Sequence, residues 1–162
     1  LPQLVLDADA LNILGRTQNW WKKLTQDAIL TPHPGEMSRL TALSTAEVQS
    51  RRLDLSQEKA RTWHKTLVLK GAYTVVAAPD GQARVSAVAN PGLATAGTGD
   101  VLAGAIAGLM AQGLRPLDAA AAGVYLHGAA GDLVRSELGD AGMIASDLPS
   151  KLPLVLKALK AG

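Results

Sequence analysis

Four short stretches of this sequence carry side chains suited to chemistry, and the types and spacing of those side chains limit what the chemistry can be. In ATAGTGDVLAG, Ala94 to Gly104, an acid, Asp100, directly follows Gly97, Thr98 and Gly99. Glycines let backbone N–H groups approach a ligand with no Cβ in the way. A helix starting here points its unpaired amides and positive dipole end at the same place, which favours phosphate. A carboxylate competes with phosphate for those amides, so Asp100 has two readings. It is a general base that takes a proton from a hydroxyl attacking phosphorus, or it is an N-cap present for stability alone. The four residues GTGD leave these readings evenly matched.

In TPHPGE, Pro32 and Pro34 fix an extended entry around His33, and Glu36 follows three residues later. His33 and Glu36 make two potential metal ligands, which is too few for a zinc site, and no HExxH motif is present. Lone histidines are more often structural, and a place at a strand end brings the functional reading of His33 level with that. In LVLKGAYTVV, Lys70 can bring a point charge to phosphate oxygens; taken alone, a solvated lysine in a turn explains it better. DADALN places Asp7 and Asp9 on one side of an extended segment, with Asn12 following. They hold Mg²⁺ through water or cap the next helix, and capping is the better reading. His127 and Asp132 fall within an alanine-rich helix and read as structural.

The elements needed to position these groups are legible from apolar runs. Leu4–Leu6, Ala28–Leu30 and Leu67–Leu69 are short apolar runs ending in polar or glycine-rich sequence, the pattern of a buried parallel sheet. Between the second and third lies a long polar helical stretch, Thr45 to His64, capped by Ser44 or Thr45, so Leu30 to Leu69 forms a βαβ unit. Thr74–Ala77 and Arg84–Val88 flank Pro79-Asp80-Gly81 and read as an antiparallel hairpin at one edge of the sheet. Helices are expected over 100–112, 117–137 and 147–160, with Pro116 at one start and Ser146 capping the last. The sum is a three-layer α/β domain over residues 1–162, with its site beyond the carboxyl ends of the strands.

Composition narrows the function further. The 162 residues suit a single domain with a sizeable core. Aromatics make up only 3% and Phe is absent, so the core is built from Leu, Val, Ala and Ile. Sixteen basic against fourteen acidic residues form no basic stripe, which argues against a nucleic-acid partner. The absence of Cys excludes disulfides and thiolate metal sites and is compatible with a cytoplasmic location. The most apolar run, Val101 to Leu114, is shorter than the ~20 residues of a membrane helix. The chain begins at Leu1 and enters a strand almost at once, which reads as a piece of something longer.

Taken together, DADALN, TPHPGE, KGAYTVV, NPGLATAGTGDVLAGAIAGL, AAGVYLHGAAGD and MIASDL closely resemble the NAD(P)H-hydrate dehydratase domain over essentially the whole chain. That domain forms the carboxyl-terminal half of bacterial bifunctional repair proteins of the YjeF type. The resemblance implies a ribokinase-like fold with a mostly parallel sheet and helices on both faces. In the family further strands and part of the substrate pocket precede DADALN, which makes this chain an amino-terminally truncated fragment. It also implies dehydration of hydrated NADH or NADPH (the S epimer) back to NAD(P)H. ADP is the phosphoryl donor, Mg²⁺ the metal, and AMP and phosphate are released.

Lys70, Gly71, Ala72, Tyr73 and Thr74, with Gly99, match the segment that holds the adenine nucleotide. Gly97 and Thr98 belong to the same amide cradle. His33 and Asp100 match positions contacting the hydrated nucleotide, with Asp100 as the catalytic base. Glu36 sits where related kinases carry the Glu of an N-x-x-E motif that organises Mg²⁺, and His33 replaces the Asn of that motif. The family implies a homo-oligomer, a tetramer, with neither nucleic acid nor membrane as partner. The rivals are a ribokinase-like small-molecule kinase that stops after phosphoryl transfer, which carries Asn where His33 stands, and a nucleotide-binding module without catalysis.

Overall fold

The computed structural model describes residues 3–139 and 141–161. Five short strands form one sheet in chain order: β1 (Leu4–Leu6), β2 (Ala28–Leu30), β3 (Thr66–Leu69), β4 (Val75–Ala77) and β5 (Ala83–Val85). β1, β2 and β3 are parallel, while β4 and β5 continue the sheet antiparallel. The parallel crossovers carry α1 (Asp9–Gly15) and α2 (Trp20–Lys23), then α3 (Pro34–Thr41), α4 (Thr45–Ser50) and α5 (Arg52–Trp63). After the hairpin come α6 (Thr98–Ala111), α7 (Pro116–Leu138) and α8 (Leu152–Ala161).

The two-residue strand period sorts the apolar side chains into two cores. Leu30, Leu67, Leu69 and Val75 pack with Leu11, Met37, Leu55 and Trp63 from the helices of the first half. Ile29, Val68 and Val76 point the other way, onto Leu102 and Ile106 of α6 and Ala120 and Val124 of α7. A third cluster, with Leu126, Val134, Leu148 and Val155, seats α8 on α7. The expected three layers are therefore present. Strands buried on both faces read as uninterrupted apolar runs, which is why β2 and β3 were legible in the sequence; β1, also apolar throughout, is half-buried.

Three expectations are corrected. The helix expected over Thr45–His64 is two helices, broken at Arg51 (φ −125°, ψ 26°). Ser44 caps the first in a reciprocal box with Glu47, and the break lets the second turn Leu55, Ala60 and Trp63 into the core. The last helix starts at Leu152 instead of residue 147, because Pro153 lacks an N–H and is tolerated only in a first turn. Ser146 is not its cap. It lies in a 3-10 turn, Ala145–Asp147, where the Asp147 carboxylate accepts the Ile144 amide at 2.9 Å. The edge hairpin is as expected, although its second ladder strand ends at Val85. Ser86 N–H to Thr74 O (2.9 Å) and Tyr73 N–H to Val88 O (3.1 Å) continue the pairing past it.

α6 and α7 cross closely because Gly123 lies against Ile106; a Cβ there would stand 2.5 Å from Ile106 Cγ1. Gly123→Val is therefore expected to destabilise the fold by about 1–3 kcal/mol through overpacking. Gly108→Ala, on a face of α6 where a Cβ meets nothing within 4 Å, is expected to stabilise it by about 0.5–1 kcal/mol. Urea unfolding of the two variants checks the opposite signs.

Candidate functional site

A cleft of about 640 Å³ opens beyond the carboxyl ends of β1 and β3 and over the amino end of α6. Its volume falls in the range of small-molecule sites. His33, Lys70, Gly71, Ala72 and Thr74 line one wall, and Gly97, Thr98, Gly99 and Asp100 line the facing one. Two expected site residues do not line it. Tyr73 is turned outward in the left-handed region (φ +56°) and is 56% exposed, while Glu36 is buried beneath the wall.

The start of α6 shows how the second wall is built. Gly97 is the N-cap residue, at φ +86°, a conformation that favours glycine. Thr98 is buried, and its hydroxyl lies 2.6 Å from the Leu93 carbonyl and 2.8 Å from that of Thr95. Among the described residues the Gly99 amide has no acceptor. Asp100 is the third residue of the helix and exposed, and among the described residues no hydrogen bond or ion pair engages its carboxylate. The capping reading of Asp100 is thus excluded, since Gly97 holds that position and Asp100 makes no capping bond. What remains is a free carboxylate at the rim of a cleft, beside an unpaired amide and a helix amino end.

The opposite wall is held by a lysine between two acids. Lys70 Nζ donates to Asp7 Oδ1 at 2.7 Å and lies 3.9 Å from Glu36 Oε2. This overturns the capping reading of Asp7 and Asp9. The N-cap residue of α1 is Ala8, with no side-chain cap bond, and Asp7 goes to Lys70 instead. Glu36 and His33 form a reciprocal cap on α3. Glu36 Oε2 accepts the His33 amide at 2.8 Å, and His33 Nδ1 accepts the Gly35 and Glu36 amides at 3.0 and 3.4 Å. An accepting Nδ1 leaves the hydrogen on Nε2, which lies 3.5 Å from Glu36 Oε1. Glu36 Oε2 is therefore engaged in the cap, while Oε1 only lies near the imidazole. Among the described residues no three His, Asp or Glu side chains converge to hold a metal ion, so these side chains alone do not fit a protein-held Mg²⁺.

The sequence reading missed two residues near the cleft. Arg52 donates to the carbonyls of Leu69 (2.8 Å) and Lys70 (3.3 Å), bracing the exit of β3 from behind. Burial lowers its pKa from the usual value. It lay within the polar stretch read as one long helix, Thr45 to His64. His127, read as structural, is buried and satisfied as expected, with Nε2 donating to Thr98 O at 2.8 Å, yet it also lines the cleft. Burial pushes its pKa down, the charge of Lys70 adds to this, and the Thr98 carbonyl partly opposes it. Asp132 is structural as expected, accepting from Asn90 Nδ2 at 3.1 Å.

This architecture, with its cleft at the strand ends and a glycine-led helix start, belongs to the ribokinase-like α/β class. A ribokinase-like protein from Enterococcus faecalis superposes with a TM-score of 0.81 at 30% identity, over 96% of this chain and 52% of its own. Within that class, the NAD(P)H-hydrate dehydratase family model matches residues 1–154, and the chain belongs to that family. It is 52% identical to the bifunctional NAD(P)H-hydrate repair enzyme of Moorella thermoacetica over 159 residues, covering 96% of this chain and 29% of that protein. The Bacillus subtilis ADP/ATP-dependent NAD(P)H-hydrate dehydratase, crystallised with ATP and Mg²⁺, has a TM-score of 0.87 and 38% identity, over 96% of this chain and 55% of its own. The chain thus spans between about a third and about half of these relatives. Among the described residues no helix is long and apolar enough to cross a membrane.

The depressed pKa of His127 gives an expected pH dependence. Folded His127 resists the proton that the unfolded chain accepts near 6.5, so native stability falls as the pH drops below that value. His127→Gln removes this part of the acid sensitivity. The stability gap between wild type and variant should shrink between about pH 7 and about pH 5. Urea unfolding at both pH values measures it, and a constant gap contradicts the assignment.

Proposed function

We propose that this chain is the carboxyl-terminal portion of a single ribokinase-like domain that dehydrates hydrated NAD(P)H at the expense of ADP. The observation that carries the reading is the convergence at one helix start of three groups with different tasks. The unpaired Gly99 amide at the amino end of α6 suits a phosphate. Lys70 brings a cation to the same point, since a Cβ on Gly99 would lie 3.2 Å from its Nζ. Asp100 offers a carboxylate with no competing partner among the described residues.

The chemistry follows from these placements. Hydroxide is a poor leaving group from the nicotinamide ring, and phosphorylation converts it into a good one. Asp100 takes the proton of the ring hydroxyl as its oxygen bonds to the terminal phosphorus of ADP and the bond to AMP breaks. The Gly99 amide and Lys70 stabilise the charge on the transferring group. The ring-nitrogen lone pair then expels phosphate, and loss of a proton from the adjacent ring carbon completes the double bond. Hydrated NAD(P)H and ADP give NAD(P)H, AMP, phosphate and a proton.

His33, at the rim beside Pro34, is assigned to the hydrated nucleotide and the loop from Lys70 to Thr74 to the adenine nucleotide, with the outward Tyr73 serving through its backbone. Gly97 and Thr98 set the loop that presents the Gly99 amide. Mg²⁺ enters this reading as a companion of the phosphates, since Glu36 is engaged elsewhere, and no step runs through it. A cytoplasmic homo-oligomer belongs to the same reading; Leu154, Leu156 and Leu159 of α8 are exposed apolar residues available for self-association.

The test supplies ADP and hydrated NADH to the complete domain and follows the return of reduced-nicotinamide absorbance. Asp100→Asn is expected to lower kcat by about 100- to 10,000-fold while changing stability by less than about 1 kcal/mol, since the residue is not the cap. An active Asp100→Asn enzyme would remove Asp100 as the base. Phosphorylated product accumulating without NADH would mark a kinase, and nucleotide binding without turnover a non-catalytic module.

A further inference from the structure

The placement of Lys70 is unexpected on electrostatic grounds alone. The amino end of a helix favours anions and disfavours cations, yet the Lys70 ammonium lies directly at the amino end of α6, by Gly99. A lysine on a flexible four-carbon stem has other rotamers open to it and would leave such a place unless something held it there. Asp7 holds it. The contact is 2.7 Å, and the two side chains are only 11% and 18% exposed, so solvent screens the pair weakly. Glu36, at 3.9 Å, is a weaker second attraction whose Oε2 already serves the cap on α3. Both Asp7 and Lys70 end parallel strands, and Lys70 N–H to Pro32 O at 2.8 Å ties the lysine's backbone to the intervening strand end. Ala8, next to Asp7, takes a positive φ of +50°, a conformation an alanine rarely adopts. Strained residues of this kind persist where the surroundings over-determine them.

We propose that Asp7 is a positioning residue whose carboxylate keeps the Lys70 ammonium at the start of α6, where an arriving phosphate meets cation and amide together. The proposal rests on the reading of the cleft as an adenine-nucleotide site. It assigns Asp7 no contact with substrate and no proton transfer. Asp7 acts through Lys70. Without it, the ammonium is drawn toward Glu36 and away from the unpaired Gly99 amide.

Two simple expectations have opposite signs. If Asp7 were only a negative charge near the site, its removal would relieve repulsion and tighten ADP binding. If it positions Lys70, its removal weakens binding. Calorimetric titration of ADP is carried out on wild type, Asp7→Asn, Asp7→Glu, Lys70→Gln and the double variant Asp7→Asn/Lys70→Gln, with thermal unfolding of each. The expected result is about a tenfold rise in Kd for Asp7→Asn, partial rescue by Asp7→Glu, and no further weakening when Asp7→Asn is added to Lys70→Gln. In turnover assays the same loss should fall on KM for ADP more than on kcat.

ADP binding by Asp7→Asn as tight as wild type or tighter overturns the positioning role alone. So does a weakening that persists undiminished in the Lys70→Gln background. A folded wild-type protein that binds no ADP overturns the nucleotide reading and this proposal with it. If Asp7→Asn fails to fold, the comparison of Asp7→Glu with wild type decides, because a longer carboxylate shifts the ammonium while keeping the charge. Unchanged Kd and KM for ADP in that variant then overturn the proposal.

Discussion

One buried residue, Thr98, determines the geometry on which the whole site depends. A helix beginning at a cleft exposes unpaired amides only if its first turn is anchored by something other than an N-cap side chain. Here the Thr98 hydroxyl is shared between two carbonyls of the preceding turn, and its own carbonyl takes the His127 imidazole. The helix start is therefore fixed from behind and from below. Gly97 can swing through the left-handed region, Gly99 keeps its amide open, and Asp100 is left without structural duty. A side chain capping this helix would have filled the place a ligand needs.

The same division of labour recurs on the other wall. His33 and Glu36 cap α3, Arg52 secures the carbonyls at the end of β3, and Asp7 restrains Lys70. Glu36 and Arg52 brace the cleft from outside it, whereas Asp7 lines the cleft beside the lysine it holds. The cost of such an arrangement is visible in unmet bonding and strained backbone. Arg52 Nε is buried without a partner among the described residues, and Ala8 and Tyr73 have positive φ. Local strain of this kind is expected where placement matters more than stability.

Much of this was legible in the sequence, for physical reasons that also mark where legibility stopped. The strands were readable because burial on both faces leaves no polar residue in Ala28–Leu30 or Leu67–Leu69. GTGD and Lys70-Gly71 stood out by their glycines, yet alone they left Asp100 evenly divided between base and cap and Lys70 a turn lysine, and only the family resemblance joined them into one site. The pairing of Asp7 with Lys70 was not, since the two are 63 residues apart and meet only once β2 lies between their strands. Nor was the break at Arg51, because both helices it separates are polar on their outer faces. Pro153 did carry a signal for the start of the last helix, and the run of apolar residues around it masked that signal.

The contact between Gly123 and Ile106 also has a mechanical consequence. Missing one side chain, α7 packs directly against α6, and the His127–Thr98 bond ties them together again at the cleft. A ligand entering the cleft therefore meets one jaw braced at two points, the α6–α7 pair, and one built from turns: the His33 turn and the exposed loop after Lys70. Any adjustment to the size of the guest falls to those turns, so the floor of the site keeps a constant shape while its upper lip follows the ligand.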